Sequence, residues 1–151
     1  MIRDDIKTAT ITAMKAKDSA RLGALRLISA ALKNKDIELR TGTAPADDDV
    51  LVADVLTKMA KQRRESIDMF VTGNRPELAD AERAELAVIE GFMPQQMAAD
   101  EAMAAVRALV AELGASNIKD MGKVMAALRE RFAGQIDMSS ASAMVKSALS
   151  A

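Results

Sequence analysis

Apolar side chains recur along this chain at intervals of three and four residues almost from its first position, the spacing that sets them on one face of an α-helix. Ile2, Ile6, Ala9 and Ala13 form the first such stripe and predict a helix to about Lys17. Asp18-Ser19 can cap a second helix. Its stripe runs through Leu22, Leu25, Ile28 and Leu32 and weakens towards Ile37 and Leu39. Thr41-Gly42-Thr43-Ala44-Pro45 breaks the pattern. Asp47, Asp48 and Asp49 then put negative charge where the dipole of a third helix is positive. That helix carries Val52, Val55, Leu56, Met59, Ile67 and Phe70 on one side and is expected to stop at Gly73. Pro76 suits the first turn of a fourth helix, with Leu78, Leu86 and Ile89 facing in, and Gly91-Phe92-Met93-Pro94 ends it.

Beyond Pro94 the periodic segments shorten. Three helices are predicted over about 100–113, 120–132 and 139–149, with Gly114 and Gly134 just past the ends of the first two. Asp120 and Ser139 are the expected N-caps. Met103, Val106, Val110, Val124, Leu128, Met144, Val145 and Leu149 are the expected inward positions. No stretch alternates as a strand does, and there is no internal repeat. The expected fold is all-α: an N-terminal four-helix unit over 1–94, then a small C-terminal three-helix bundle over 95–151, with a hinge near Met93–Ala98.

Composition agrees and narrows the chemistry. The 151 residues suit one domain or two small helical ones, and half of them are apolar, much of that half being Ala. The chain has no His and no Cys. It therefore lacks the side chain that most often serves as a general base near neutrality, and it has no thiol nucleophile, disulfide or thiolate metal site. A Ser-His-Asp triad is excluded. Carboxylates, Lys, Arg, Ser and a bound Mg²⁺ are what remain, which favours binding over catalysis. Net charge is −1, but residues 1–40 hold nine Lys/Arg against five Asp/Glu, whereas residues 41–94 hold six against eleven. An anion-binding face is thus expected to start from the N-terminal helices. No apolar run approaches the roughly 20 residues that span a bilayer, and the charged start resembles no signal peptide. A cytoplasmic protein without membrane contact is the expectation.

Two polar clusters stand out. Lys58-Met59-Ala60-Lys61-Gln62-Arg63-Arg64-Glu65-Ser66 reads mainly as a solvated helix face, with Lys61–Glu65 and Arg64–Asp68 as i,i+4 pairs. Arg63, four residues from both Met59 and Ile67, lies beside the apolar stripe and needs either a partner carboxylate or a ligand. These arginines could meet Arg21 or Arg26 of the second helix. The second cluster is Lys119-Asp120-Met121-Gly122-Lys123-Val124-Met125. A Gly in a helix's first turns costs about 1 kcal/mol relative to Ala, which a close approach would justify, either by a neighbouring helix or by an RNA backbone. Lys119 and Lys123 flank a helix N-terminus whose free N–H groups suit a phosphate. No carboxylate set has metal-site spacing and no Gly-rich phosphate loop exists, so no metal, cofactor or catalytic residue is assigned. Without Trp or Tyr there is no platform for stacking single-stranded bases. A structured RNA read by shape and phosphates remains open.

The order of segments resembles the GatB/YqeY family, and most closely its free-standing YqeY-like branch. The resemblance is carried by Ala13-Met14-Lys15-Ala16-Lys17-Asp18, Leu25-Arg26-Leu27-Ile28, Lys61-Gln62-Arg63-Arg64-Glu65-Ser66, Gly73-Asn74-Arg75-Pro76-Glu77-Leu78-Ala79, Phe92-Met93-Pro94-Gln95-Gln96-Met97 and Asp120-Met121-Gly122-Lys123-Val124-Met125. It departs at Ala98, where a capping Ser or Thr is expected and Asp100 can substitute. The resemblance implies an all-α fold in two parts and kinship with the tail of the GatB subunit of tRNA-dependent amidotransferases. Those enzymes convert Glu-tRNA(Gln) or Asp-tRNA(Asn) to the amide with glutamine as nitrogen donor, and the tail contacts tRNA. The function so implied is that of a non-catalytic tRNA-binding module. Lys119, Gly122 and Lys123 would approach the backbone, Arg129 would lie one or two turns on, and Arg21, Arg26, Lys61 and Arg64 would form a second basic surface. The alternatives are an accessory component of a glutamine-dependent carbon–nitrogen ligase, working with amidotransferase subunits or another translation protein, and a protein-interaction module without RNA.

Overall fold

The periodic segments all become helices. In the computed structural model, which describes residues 1–150, the order is α1 (Ile2–Lys15), α2 (Ser19–Glu38), a 3-10 turn (Leu39–Thr41), α3 (Asp48–Thr72), α4 (Pro76–Glu90), α5 (Ala99–Glu112), a second 3-10 turn (Ile118–Asp120), α6 (Met121–Arg131) and α7 (Met138–Ser150). No strand occurs among the described residues.

Helix ends follow backbone chemistry that the apolar pattern does not display. α1 stops at Lys15, two residues short of the expected end, because Lys17 turns left-handed (φ 56°). Its N–H reaches the Met14 carbonyl and that of Asp18 reaches Ala13, which satisfies the last carbonyls of the helix. Asp18 then caps α2 by accepting from Arg21 N–H at 3.1 Å. At the end of α3 the left-handed residue is Asn74 (φ 56°), not Gly73, and Arg75 N–H donates to the Phe70 carbonyl. Asn tolerates that conformation better than most side chains. Gly114 closes α5 with φ 63°, as expected of it. Asp120 holds the N-cap position of α6, as expected, but its side chain reaches back to Ser116 N–H instead of capping the helix, and Asn117 caps the 3-10 turn before it by accepting from Lys119 N–H at 2.8 Å. Asp137, not Ser139, caps α7, accepting from both the N–H and the hydroxyl of Ser139. In each case the carboxylate or amide sits just outside the helix, where it can turn onto free N–H groups.

The chain folds as two compact units, Met1–Met93 and Pro94–Ala151. In the first, Leu25, Ile28, Val52 and Leu56 are fully enclosed, with Ile6, Leu32, Ala60 and Ile89 around them. Full burial of one such side chain stabilises by about 1.5–3 kcal/mol. α3 and α4 form the broadest helix contact in the unit. Buried Ala53 and Ala60 on α3 and Ala79 on α4 keep side-chain bulk out of the way. One expected inward position moves by a residue: Leu78 is 40% exposed and its neighbour Ala79 is buried. In the second unit α5, α6 and α7 each pack on the other two. Val106, Leu109, Val124, Leu128 and Val145 form its centre, and Ala102 is buried where Met103 was the expected residue. The segment before α5 is tied to this unit: Met97 N–H donates to the Gln135 carbonyl at 2.9 Å, and the Gln96 side-chain amide donates to the carbonyl of Gly134.

A charge cluster joins three helices of the first unit. The Arg3 guanidinium forks onto Asp36 at the end of α2 and onto Asp48 at the start of α3, all four contacts being 2.9–3.1 Å. Asp49 Oδ1 accepts from Ile2 N–H, an otherwise orphaned donor of α1, at 3.0 Å. Hydrogen bonding from Arg3 holds the Asp48 carboxyl below its ordinary range, and hydrogen bonds to Asp48 and then Asp36 hold the Arg3 guanidinium above its own.

Because folding depresses the Asp48 pKa, its contribution is full above the unfolded carboxylate value near 4 and is lost as pH falls through the folded value. Urea melts at pH 6 and pH 3 are expected to show a larger acid loss in the natural chain than in Arg3→Gln. At pH 6 the variant is expected to lose no more than about 1 kcal/mol, since the carboxylates are half exposed. A second expectation concerns α5, whose N-cap Ala98 has extended backbone (ψ 154°) but no side-chain hydrogen bond. Ala98→Ser should raise stability by about 0.5–1 kcal/mol, read as an upward shift in the thermal midpoint.

Candidate nucleic-acid interface

The second unit holds the first group of cations. Lys119 lies on the 3-10 turn that leads into α6, Gly122 and Lys123 on the first turn of α6, and Arg129 in its last turn. All four are exposed. Nothing lies within 4 Å of where a Cβ on Gly122 would stand. Among the described residues, no helix of its own unit explains this glycine, and a stretch of backbone is left uncovered there. Gly122 and Arg129 are seven residues apart, so they share a face about 10 Å apart along the axis. The Lys123 ammonium lies 3.5 Å from the Leu113 carbonyl, where the C-terminus of α5 favours a cation. Lys119 makes no side-chain hydrogen bond or ion pair among the described residues, and neither does Arg129. Arg131 is different: it forks onto Glu112 at 2.7 and 2.8 Å. That hydrogen bonding lowers the Glu112 pKa and raises the arginine's.

The cations of the first unit fall into engaged and free sets. Arg21 and Arg26 are both exposed on α2, but at five residues' separation they point about 140° apart and share no face. Lys61 is exposed on α3 without an ion pair among the described residues. Arg64 donates to Glu90 of α4 at 2.8 Å, so the expected Arg64–Asp68 pair is replaced by a contact between helices. The expected Lys61–Glu65 pair does not form either. The α4 helix lies along this side of α3 and supplies carboxylates closer than those on α3 itself.

Arg63 finds the partner carboxylate that its position beside the apolar stripe demands. Its Nε lies 2.9 Å from Glu85 Oε2 and 3.5 Å from Glu82 Oε2, with Arg63 and Glu82 only 22% and 20% exposed. Neither Arg63 Nε nor Glu82 Oε2 gains an aligned hydrogen bond, so the contact is one of charge. The cluster joins α3 to α4. Pairing with two carboxylates from α4 has no signature in the α3 sequence. The signal that could have revealed it lies in α4, where Glu82 and Glu85 share a side at i,i+3. Among the described residues no group of His, Cys, Asp or Glu could hold a metal ion. None of their helices is long and apolar enough to cross a membrane.

The fold defines an all-helical protein of two compact units with exposed cations on each. The chain belongs to the YqeY-like family: residues 3–149 match the family model described as "Yqey-like protein". Similar curated proteins are yeast proteins named "Altered inheritance of mitochondria protein 41, mitochondrial". The one from Eremothecium gossypii is 33% identical over 99% of this chain and 79% of its own length. The one from Lachancea thermotolerans is 32% identical over 77% of this chain and 59% of its own. That of Saccharomyces cerevisiae (strain YJM789) is 33% identical over 63% and 48%. The chain thus matches about half to four-fifths of the length of these relatives.

Removing the positive charge from the α3–α4 cluster would strand two half-buried carboxylates. Arg63→Leu is expected to lower stability by about 1–2 kcal/mol, discounted for partial exposure. Adding Glu82→Gln and Glu85→Gln to that variant should recover part of the loss in denaturant melts, whereas simple loss of packing would leave it unrecovered.

Proposed function

We propose that this protein is a non-catalytic tRNA-binding module, with the Lys119–Lys123 corner of the second unit set against the RNA backbone. The observation that carries the reading is Gly122. A glycine in the first turn of a helix weakens that helix, and here nothing among the described residues of its own unit occupies the space its missing side chain leaves open. Exposed Lys119 and Lys123 flank it, and the free N–H groups of a helix start add to the attraction for phosphate. The family resemblance to the tail of GatB agrees with the same reading. Arg129 extends the face by two turns. A handful of phosphate contacts on a chain with net charge −1 implies weak, strongly salt-sensitive affinity. The relatives' names place them in mitochondria, so the reading requires a compartment that holds tRNA and does not single out the cytoplasm.

A second reading, a protein-interaction module, is favoured by one corner of the first unit. Met69 and Val71 near the end of α3 are 73% and 55% exposed, beside an open depression lined by Asp68, Met69, Thr72 and Gly73. Stoichiometric co-purification of one protein, lost in Met69→Asp, would support it.

Gly122→Ala separates helix stability from binding. The variant is expected to be more stable by up to about 1 kcal/mol. It is also expected to bind total tRNA several-fold more weakly in gel shifts across a salt series, with duplex DNA as control. Lys119→Ala should weaken binding and reduce the slope of log affinity against log salt by about one. Gain of stability with unchanged tRNA affinity would remove Gly122 from the interface.

A further inference from the structure

The outward face of α2 carries a pattern that neither polar cluster contains. Arg26, Lys33 and Arg40 recur at seven-residue intervals along α2 and the 3-10 turn that continues it. Gly23, Ala30 and Ile37 recur at the same interval, three residues earlier. Seven residues make nearly two helical turns, so the result is two adjacent rows, one cationic and one of mostly small side chains. All six residues are exposed, and a Cβ on Gly23 would meet nothing within 4 Å. The opposite side of α2, with Leu25, Ile28 and Leu32, faces the core.

The cations of this row stand outside the ion pairs of the fold. Among the described residues, none of the three cations makes an ion pair or side-chain hydrogen bond. The two acids at the end of α2 are engaged elsewhere: Asp36 holds Arg3 and Glu38 holds Lys35. From Arg26 to Arg40 the row extends about 20 Å.

We propose that this face of α2 is a second RNA contact, along which a run of backbone phosphates of the bound tRNA lies. This rests on the tRNA-binding reading and adds a site in the first unit. The geometry favours a phosphate backbone over a protein helix. A helix docked along two such rows needs a continuous line of apolar knobs, and this face offers only Ile37 (46% exposed) within the rows and Leu27 (45% exposed) beside them, ten residues apart. A second copy of this chain is a poor occupant, because none of its helices presents three carboxylates at seven-residue spacing. A phosphodiester strand carries negative charge at every step and can meet all three cations, while the small row lets it come close to the helix. The proposal groups Arg26 with Lys33 and Arg40 in place of the expected Arg21, Lys61 and Arg64.

The test compares two charge-matched triple variants of the full chain in tRNA binding across a salt series. Arg26→Gln/Lys33→Gln/Arg40→Gln removes the row. Lys58→Gln/Arg107→Gln/Lys146→Gln removes three exposed cations elsewhere. The first is expected to reduce the slope of log affinity against log salt by about two to three, and affinity at low salt at least tenfold. The second should leave the slope within about half a unit of the natural chain. The single variant Ala30→Glu, which places a carboxylate between Arg26 and Lys33, should also weaken binding. Circular dichroism confirms that each variant remains helical. tRNA binding whose slope the first triple lowers no more than the second overturns the α2 contact while leaving the tRNA-binding reading intact. The same holds if that triple instead abolishes capture of an acidic protein. Absence of tRNA binding by the natural chain, even at low salt, overturns both.

Discussion

Both units must bury enough surface with small side chains, and their construction reflects that constraint. There is no Trp or Tyr, and none of the three Phe residues is fully buried. The cores are instead Leu, Ile and Val set among buried alanines: Ala13, Ala24, Ala53, Ala60 and Ala79 in one unit, Ala102 and Ala141 in the other. Each alanine contributes little area, but it lets neighbouring helices come close, so the Leu and Val side chains beside it reach interior packing density. Alanine is also the best helix former, so the residue that permits close packing also stabilises each helix before it packs.

Arginine–carboxylate pairs also link the helices to one another. Arg3 joins the starts of α1 and α3 to the end of α2. Arg63 and Arg64 each bind carboxylates of α4, and Arg131 binds Glu112 at the far ends of α6 and α5. Arginine suits this work because its planar fork can meet two oxygens at once. Its use in fastening decides which cations are left for function. Lys119, Arg129, Arg26, Lys33 and Arg40 remain on the surface without carboxylate partners among the described residues. The proposed interface is built from what the fold does not use.

Helix starts show the same economy at smaller scale. Asp18, Asp47, Asn117 and Asp137 each turn one side-chain oxygen onto free N–H groups, and Asp49 does so across to another helix. Much of the acidic content is therefore structural, which is consistent with the absence of any carboxylate cluster suited to a metal among the described residues.

The all-helical class was legible in the sequence, because a 3.6-residue period is a local property and every long apolar stripe has it. Breaks at Thr41–Pro45, Gly73–Pro76 and Gly91–Pro94 were legible for the same reason: backbone restrictions act within a few residues. Legibility stopped where a decision needed a second helix. Ala79 and Ala102 are buried beside the larger Leu78 and Met103, since the space available is set by the partner and not by hydrophobicity. Arg64 prefers Glu90 over Asp68, and Arg63 finds Glu82 and Glu85, because α4 lies against α3. Gly122 was visible as an anomaly in a helix, but only the tertiary structure could show that no described helix of its own unit fills the space beside it. The sequence by itself thus determined the helices, most of their limits and the list of available cations. Tertiary structure decided which side chains are interior and which cations remain exposed and unpaired, because burial and charge pairing depend on residues distant along the chain.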